Sequence, residues 1–400
     1  MTSVGRLILM GVLALGCAWL VVRTAMVNSV DQGVAVLVER FAPGSPQVDL
    51  AIASSEFVAD GGGQPVATPE IVRRGHDALR KSPLAAEPFL FDGAAAMAAG
   101  RAPVADRLFA EALRRDPRSQ LTRLLLYQNL IGMGRYERGF RELMDLARLA
   151  PALVGPLAPQ LAKLAVMPEM QASLHRTLRL NPAMHDALLL ELVKARTDPS
   201  VILALADPIR RTGPKGRPPS WQGAFLNSLI VRGQVAEAHR LWRRFTGIPA
   251  VDGIFDPDFE RRVAPPPFNW ILADGGAGVA ELTKGEGLAI EYFGRQPAEL
   301  ARQLIVLEPG RYRFSARFST EEADADTGLE WRISCARSRI VLGALPVPGT
   351  GGREVTAPIV FDVPDDCAAQ ILALRGTPRD SGGASHAKIR GLGLKREGAQ

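Results

Sequence analysis

Four hundred residues exceed what one hydrophobic core usually fills, so two or three domains are expected. An apolar share of 47% beside 22% charged residues excludes a largely disordered chain. The net charge of +6 resides in the first two thirds: residues 1–264 carry 32 Lys and Arg against 25 Asp and Glu, and residues 265–400 carry 16 against 17. These cations are scattered along helical stretches without interleaved aromatic residues, which reads as solvated helix faces and not as a nucleic-acid surface.

The chain begins with an uninterrupted apolar run, Leu7 to Val22, between Arg6 and Arg23. A full membrane span of roughly 20 residues is reached if Thr24 to Val27 join it and Arg23 snorkels. A signal-peptide core of about 7 to 15 residues is shorter, and no small-x-small cleavage site follows. Residues 1–27 are therefore read as an uncleaved signal-anchor helix in a bacterial cytoplasmic membrane, with a linker at 28–46. Ala14-Leu15-Gly16-Cys17 is similar to the lipobox of bacterial lipoproteins, but Ala stands where a larger aliphatic residue is usual and the apolar run continues past the cysteine. Lipidation at Cys17 stays open as the alternative. Flanking charge is nearly balanced and does not orient the segment. Cys335 and Cys367, both in the C-terminal half, bear on orientation: as strand neighbours they could form a disulfide, which persists in an oxidising compartment. Two separate buried thiols are the alternative. Pairing favours a periplasmic location for the bulk of the chain.

An internal period follows. Pro83, Pro117 and Pro151 are spaced by 34 residues, as are Gly100 and Gly134, and Arg80, Arg114 and Arg148. Such a period signals stacked helical hairpins. Ala86 to Ser119 resembles a tetratricopeptide repeat over its whole length: Gly93 and Ala96 stand at the small positions of a first helix, Gly100 at the turn, Ala105 and Ala112 at the small positions of a second, Phe109 as its aromatic wedge and Pro117 at the exit. Small residues let two helices approach, and proline ends a helix because it lacks an N–H. The next unit, 120–153, keeps Gly134 and Pro151 but has Tyr127 and Gly139 at small positions. Upstream, Gln47–Phe57 and Pro69–Lys81 form a hairpin around Gly61-Gly62-Gly63. Downstream the helices are Pro168–Leu180, Ala183–Arg196 and Pro199–Arg211; residues 212–219 form a loop. Ser220–Phe245 makes a last hairpin with Gly233, Ala238 and Trp242. The repeats thus span 47–250.

The resemblance implies a solenoid whose first helices line a protein-binding groove. The matching positions are Glu87, Leu90, Ala94 and Met97, then Leu121, Leu124, Gln128 and Ile131. Intramolecular packing of this mostly apolar strip is the equal alternative.

After a linker at 251–267, alternation replaces helical periodicity, and residues 268–397 read as a β-sandwich. In Arg311 to Phe318 the residues Tyr312, Phe314, Ala316 and Phe318 share one face and Arg311, Arg313, Ser315 and Arg317 the other. Similar runs at Gly287–Phe293, Gln303–Leu307, Leu329–Ser334, Val355–Val363, Ala368–Leu374 and His386–Lys395 indicate about eight strands of a jelly roll. Gln303 to Ala316 resembles the second-to-third strand passage of carbohydrate-binding jelly-roll modules. That resemblance implies sugar binding through aromatic platforms, for which Trp270, Tyr292 and Trp331 are the candidates. Trp331 shares strand parity with Leu329, Ile333 and Cys335, which favours burial.

The fold class is multidomain α + β: a transmembrane helix, an α-solenoid of tetratricopeptide-like hairpins and an antiparallel jelly roll. Catalytic chemistry finds little support. His76, His175, His185, His239 and His386 fall in no ligand spacing, and H-E-x-x-H, C-x-x-C, G-x-S-x-G and P-loop motifs are absent. Two acidic clusters, Asp252-Asp256-Asp258-Glu260 and Glu321-Glu322-Asp324-Asp326, do not follow the EF-hand order and read as solvated loops. No metal, cofactor or enzymatic activity is expected. A glycan-active protein with paired acids in the solenoid is the remaining enzyme reading. The expected partners are a protein of the cell envelope, the membrane and a polysaccharide, with no nucleic acid. The expected role is a periplasmic interaction scaffold in envelope or exopolysaccharide assembly, the alternative being a glycan-binding or glycan-processing accessory protein.

Overall fold

The computed structural model describes residues 44–58, 67–209, 216–248, 253–260, 262–283, 285–323, 326–379 and 383–398. The apolar run 7–22 with Cys17, the glycines 61–63 and residues 212–215 of the expected loop lie outside the described residues. Among the described residues no helix is long and apolar enough to cross a membrane. The chain divides into two units, 1–185 and 186–400.

The first unit holds α1 (Pro46–Val58), α2 (Pro69–Lys81), α3 (Glu87–Ala98), α4 (Ala102–Arg115), α5 (Gln120–Gly132), α6 (Tyr136–Leu149), a 3-10 turn at Pro151–Leu153, α7 (Val154–Ala165) and α8 (Pro168–Leu178). Its period has a steric cause. The residue before a proline is disfavoured in the helical region, and α2, α4 and α6 stop at Ser82, Asp116 and Ala150, each followed by proline. These three residues have nearly the same backbone, with φ −132°, −125° and −131° and ψ 79°, 90° and 79°.

In the α3–α4 and α5–α6 hairpins the first helix ends on a left-handed glycine, Gly100 at φ +71° and Gly134 at φ +72°. The next N–H then reaches back a full turn, Arg101 to the Ala96 carbonyl at 2.8 Å and Arg135 to the Leu130 carbonyl at 2.9 Å. This closes carbonyls that a helix end leaves unpaired. Gly93 has a different reason. A Cβ there would lie 2.6 Å from Cε1 of Phe109, so α3 and α4 approach only because that position has no side chain. Phe57, Phe91, Phe109, Leu125 and Leu130 fill the core that results. Adjacent hairpins are also tied by polar contacts: nearly buried Asp106 accepts from Nη1 of Arg135 at 2.8 Å and of Arg138 at 2.9 Å, and Asn129 Nδ2 donates to the Ala102 carbonyl at 3.0 Å.

Beyond α6 the same turn recurs without its glycine. Helix α9 (Pro182–Lys194), within which the two units divide, closes with Arg196 at φ +55° and Thr197 donating to the Leu192 carbonyl at 3.0 Å. The next helix, α10 (Pro199–Ala206), ends earlier than the expected Arg211, because Pro208 holds Asp207 in an extended conformation. The last hairpin, α11 (Ser220–Val231) and α12 (Val235–Thr246), turns at Gly233 with φ +80°.

Residues expected to form a plain linker are packed. Trp242 of α12 meets Phe255 edge-on at 5.2 Å and Phe268 at 5.7 Å, and its Nε1–H donates to the Pro265 carbonyl at 3.0 Å. The amide of Gln303 bridges both backbone groups of Phe255, accepting from its N–H at 2.9 Å and donating to its carbonyl at 2.8 Å. His239, stacked on Trp242, has its pKa lowered by burial and by Arg243.

Among the described residues eleven strands then form two antiparallel sheets: β1 (Ile271–Leu272), β2 (Asp274–Gly275), β3 (Gly278–Thr283), β4 (Gly287–Tyr292), β5 (Ala298–Ile305), β6 (Gly310–Thr320), β7 (Leu329–Cys335), β8 (Val341–Val347), β9 (Val355–Val363), β10 (Gln370–Gly376) and β11 (Ser385–Arg396). The orders are β1-β5-β10-β7-β8 and β2-β3-β4-β11-β6-β9. In β6 the expected alternation holds: Tyr312, Phe314, Ala316 and Phe318 are buried and Arg311, Arg313 and Arg317 exposed. Strand β8 was not expected, since Gly343 and Pro346 interrupt its apolar pattern. It lies at a sheet edge, where a missing N–H is tolerated. A disulfide joins Cys335, at the end of β7, to Cys367 before β10.

Replacing Gly93 by Ala should cost about 2 kcal/mol of stability, although alanine favours the helix, because the Phe109 ring must move; urea unfolding monitored by circular dichroism measures it. Replacing Cys335 and Cys367 by Ser frees a loop of sequence separation 32 and should cost about 3 kcal/mol. The loss should be seen only relative to the oxidised parent, and reduced parent protein should melt with the variant.

Candidate functional site

The first helices of successive hairpins, α1, α3 and α5, converge on a depression of about 180 Å³. Three expected groove residues, Glu87, Leu90 and Leu121, line it. Phe57 supplies an apolar wall, while Ser54 and Asp116 join Glu87 at the polar side. Ser119, the N-cap of α5, shares a 2.7 Å hydrogen bond with Thr122 at the same rim. Among the described residues neither Glu87 nor Asp116 has a cationic partner; Asp116 only accepts the Arg118 N–H at 3.0 Å. The depression is therefore apolar below and anionic at the edge, inside a half of the chain that is otherwise basic.

The remaining strip residues divide by packing. Ala94 is buried in the core, 2% exposed. Ile131 lies against α6, with Cδ1 3.0 Å from where a Gly139 Cβ would sit. Met97, Leu124 and Gln128 are half-buried, Met97 against the core cluster, and Gln128 Oε1 has no hydrogen-bond partner. Phe57 and Asp116 were not foreseen. A signal existed for Asp116: it precedes the repeat proline, at the junction where one hairpin meets the next.

In the sandwich the structure places all three candidate sugar platforms in the core, so none offers a ring to a ligand. Trp331 and Tyr292 are fully buried and Trp270 is 8% exposed. Trp270 packs edge-on against Trp331 at 5.9 Å and donates its Nε1–H to the Asp256 carbonyl at 3.2 Å. Tyr292 sits against Gly376, where a Cβ would come within 2.6 Å, and its hydroxyl donates to the Gln296 carbonyl at 2.8 Å. The parity that favoured burial of Trp331 applies to its neighbours too: aromatic residues here serve the inter-sheet core.

The open surface mixes charged and apolar side chains. A cleft of about 570 Å³ lies over the six-stranded sheet, lined by outward residues of β3, β4, β6 and β11. At its centre the His386 imidazole stands 3.8 Å from Glu291 and 3.6 Å from Glu321, while the His386 N–H donates to Glu322 at 3.0 Å. Beside it Lys388 pairs with Glu286 at 3.0 Å and lowers that carboxyl's pKa by hydrogen bonding. Alternating carboxylates and cations on one flat face are suited to hydroxyl-rich ligands, since each can donate to or accept from a polyol.

The described carboxylates of the acidic clusters include two that are tied to backbone N–H groups. Asp256 is buried and accepts the N–H groups of Glu260 at 2.9 Å and Arg262 at 3.2 Å, and Asp326 accepts that of Gly328 at 2.8 Å. Asp252 and Asp324 lie outside the described residues. Among the described residues no three His, Cys, Asp or Glu side chains are grouped as metal ligands.

No protein-family model matches this chain, and no curated protein matches it. Solved structures similar to it include TmCBM61 in complex with β-1,4-galactotriose (16% identity, 37% of this chain and 100% of that one, TM-score 0.27). Another is a CBM4 domain (17% identity, 36% of this chain and 99% of that one, TM-score 0.28). A third is PilF of Pseudomonas aeruginosa (18% identity, 45% of this chain and 85% of that one, TM-score 0.24). By its own repeat spacing and sheet order the chain is, over the described residues, a run of helical hairpins followed by two antiparallel sheets.

Proposed function

We propose that this chain is an interaction scaffold that captures a protein partner along the inner face of α1, α3 and α5 without turnover. The observation that carries the reading is the depression bounded by Phe57, Leu90, Leu121, Glu87 and Asp116. Its walls come from helices held in place by stacked neighbours, so little order is lost on binding. The apolar base takes aliphatic or aromatic anchors, and the two carboxylates favour a partner segment that also carries Lys or Arg. Met97 and Leu124 extend the strip along α3 and α5.

Met97→Asp with Leu124→Asp should weaken partner capture about tenfold or more, measured by co-purification from cross-linked cells, while circular dichroism and melting temperature stay near the parent. Normal capture, or collapse of the fold, would assign the strip to packing.

A second reading concerns the sandwich. The cleft around His386 favours a polysaccharide held by hydrogen bonds and not by ring stacking. The two surfaces together suit assembly or export of an envelope polysaccharide. On this reading residues 7–22 anchor the chain in the cytoplasmic membrane and residues 28–400 lie on its outer side, where the Cys335–Cys367 disulfide persists. Fusions after Gln400 test this placement: alkaline phosphatase should be active and green fluorescent protein dark. The opposite pair of results would exclude it.

A further inference from the structure

Helix α12 carries an imidazole where it meets the segment holding Phe255, Pro265 and Phe268, and neither surface above uses it. His239 and Trp242 stand three residues apart and so share one face of the helix. Trp242 is buried against Phe255 and Phe268 and hydrogen-bonded to the Pro265 carbonyl. His239 stacks on Trp242 at 5.9 Å and lies 5.2 Å from the Phe268 ring. Leu304, Ile305 and Val306 at the end of β5 close the same pocket and leave about 10 Å³, at the lower limit for a single water.

The connecting segment is also held from the sandwich side. Leu304 N–H donates to the Pro267 carbonyl at 2.9 Å, and Gln303 ties both backbone groups of Phe255. His239 therefore sits where the last hairpin, the connecting segment and β5 meet, all within the second unit.

An imidazole takes up a proton between pH 5 and 8, and this join offers nothing to balance the charge. On α12 the charged neighbour is Arg243, which repels it, while Glu237 is committed to Arg240. The connecting segment and β5 present Phe255, Phe268, Leu304, Ile305 and Val306, all apolar. The buried carboxylate of that segment, Asp256, is turned to the N–H groups of Glu260 and Arg262. Among the described residues no carboxylate makes an ion pair with His239. Aromatic faces attract cations, but Trp242 lies at the outer limit of about 6 Å for that contact, and the Phe268 ring is tilted. Burial first and Arg243 second hold the pKa of His239 below the ordinary histidine value.

We propose that His239 makes this join an acid-sensitive joint, packed while the imidazole is neutral and loosened when a proton draws the ring toward water, which frees the last hairpin from the sandwich. Linkage fixes the direction. A histidine whose pKa is lowered in the packed state gives its full contribution above the ordinary value of about 6.5 and loses it as pH falls below that. The joint opens toward acid and closes toward neutral pH. It depends on neither the partner reading nor the polysaccharide reading.

Hydrogen exchange of the full-length chain, followed by mass spectrometry at pH 7.5, 6.5 and 5.5, tests it. Parent and variant are compared at the same pH, so the intrinsic exchange rate cancels. His239→Phe removes the proton site and keeps a ring; His239→Gln keeps a neutral polar group should the larger ring disturb packing. Peptides covering Phe255 and Leu304 should exchange faster in the parent than in the variants below pH 6.5, by up to about tenfold per pH unit. Peptides of β6 and β11 should not differ. Equal exchange of the parent and both variants at pH 5.5 would overturn the proposal, as would a rise of the same size in β6 and β11, which would mean unfolding of the whole sandwich. A His239 ring resonance that titrates at or above the ordinary histidine value would overturn it as well.

Discussion

The helical unit depends on a steric exclusion repeated every 34 residues. Pro83, Pro117 and Pro151 disfavour the helical region for Ser82, Asp116 and Ala150, so α2, α4 and α6 end at equivalent points. Gly100 turns the α3–α4 hairpin and Gly134 the α5–α6 hairpin, and the absent side chain of Gly93 lets α3 close on α4. With ends, turns and contact positions fixed, the inner faces of α1, α3 and α5 have to align. The depression they share is a consequence of spacing and not of any one residue.

The sandwich solves a different problem. Two sheets must fill the space between them, and Trp331, Tyr292, Phe314 and Phe318 are spent there. The solvent faces carry charge among scattered aliphatic side chains: Glu291, His386 and Lys388 over one sheet, Arg332, Arg339 and Arg375 over the other. On the proposed polysaccharide reading, recognition at such faces would work by charge-assisted hydrogen bonds and would be sensitive to salt.

Three residues of the depression, Glu87, Leu90 and Leu121, are among the positions that the resemblance to a tetratricopeptide repeat implied; the other five of that strip do not line it. Phe57 and Asp116 were not implied, since they enter from a preceding hairpin and from a junction. The aromatic candidates failed for a related reason. Strand parity says which residues share a face, but not which face is covered by a second sheet. In the same way β8, broken by Gly343 and Pro346, carries too little alternation to be seen, yet it pairs with β7 along its length.

Local rules acting within a few residues were therefore readable from the chain: the proline stops, the glycine turns, the alternation of β6 and the likelihood of a bond between two cysteines in the same β-rich half. The tertiary structure alone decided the pairing geometry of Cys335 with Cys367 and the burial of Trp270, Tyr292 and Trp331. Those outcomes depend on strand order and register between segments far apart in sequence, and a periodic pattern carries no information about which distant strand becomes a neighbour.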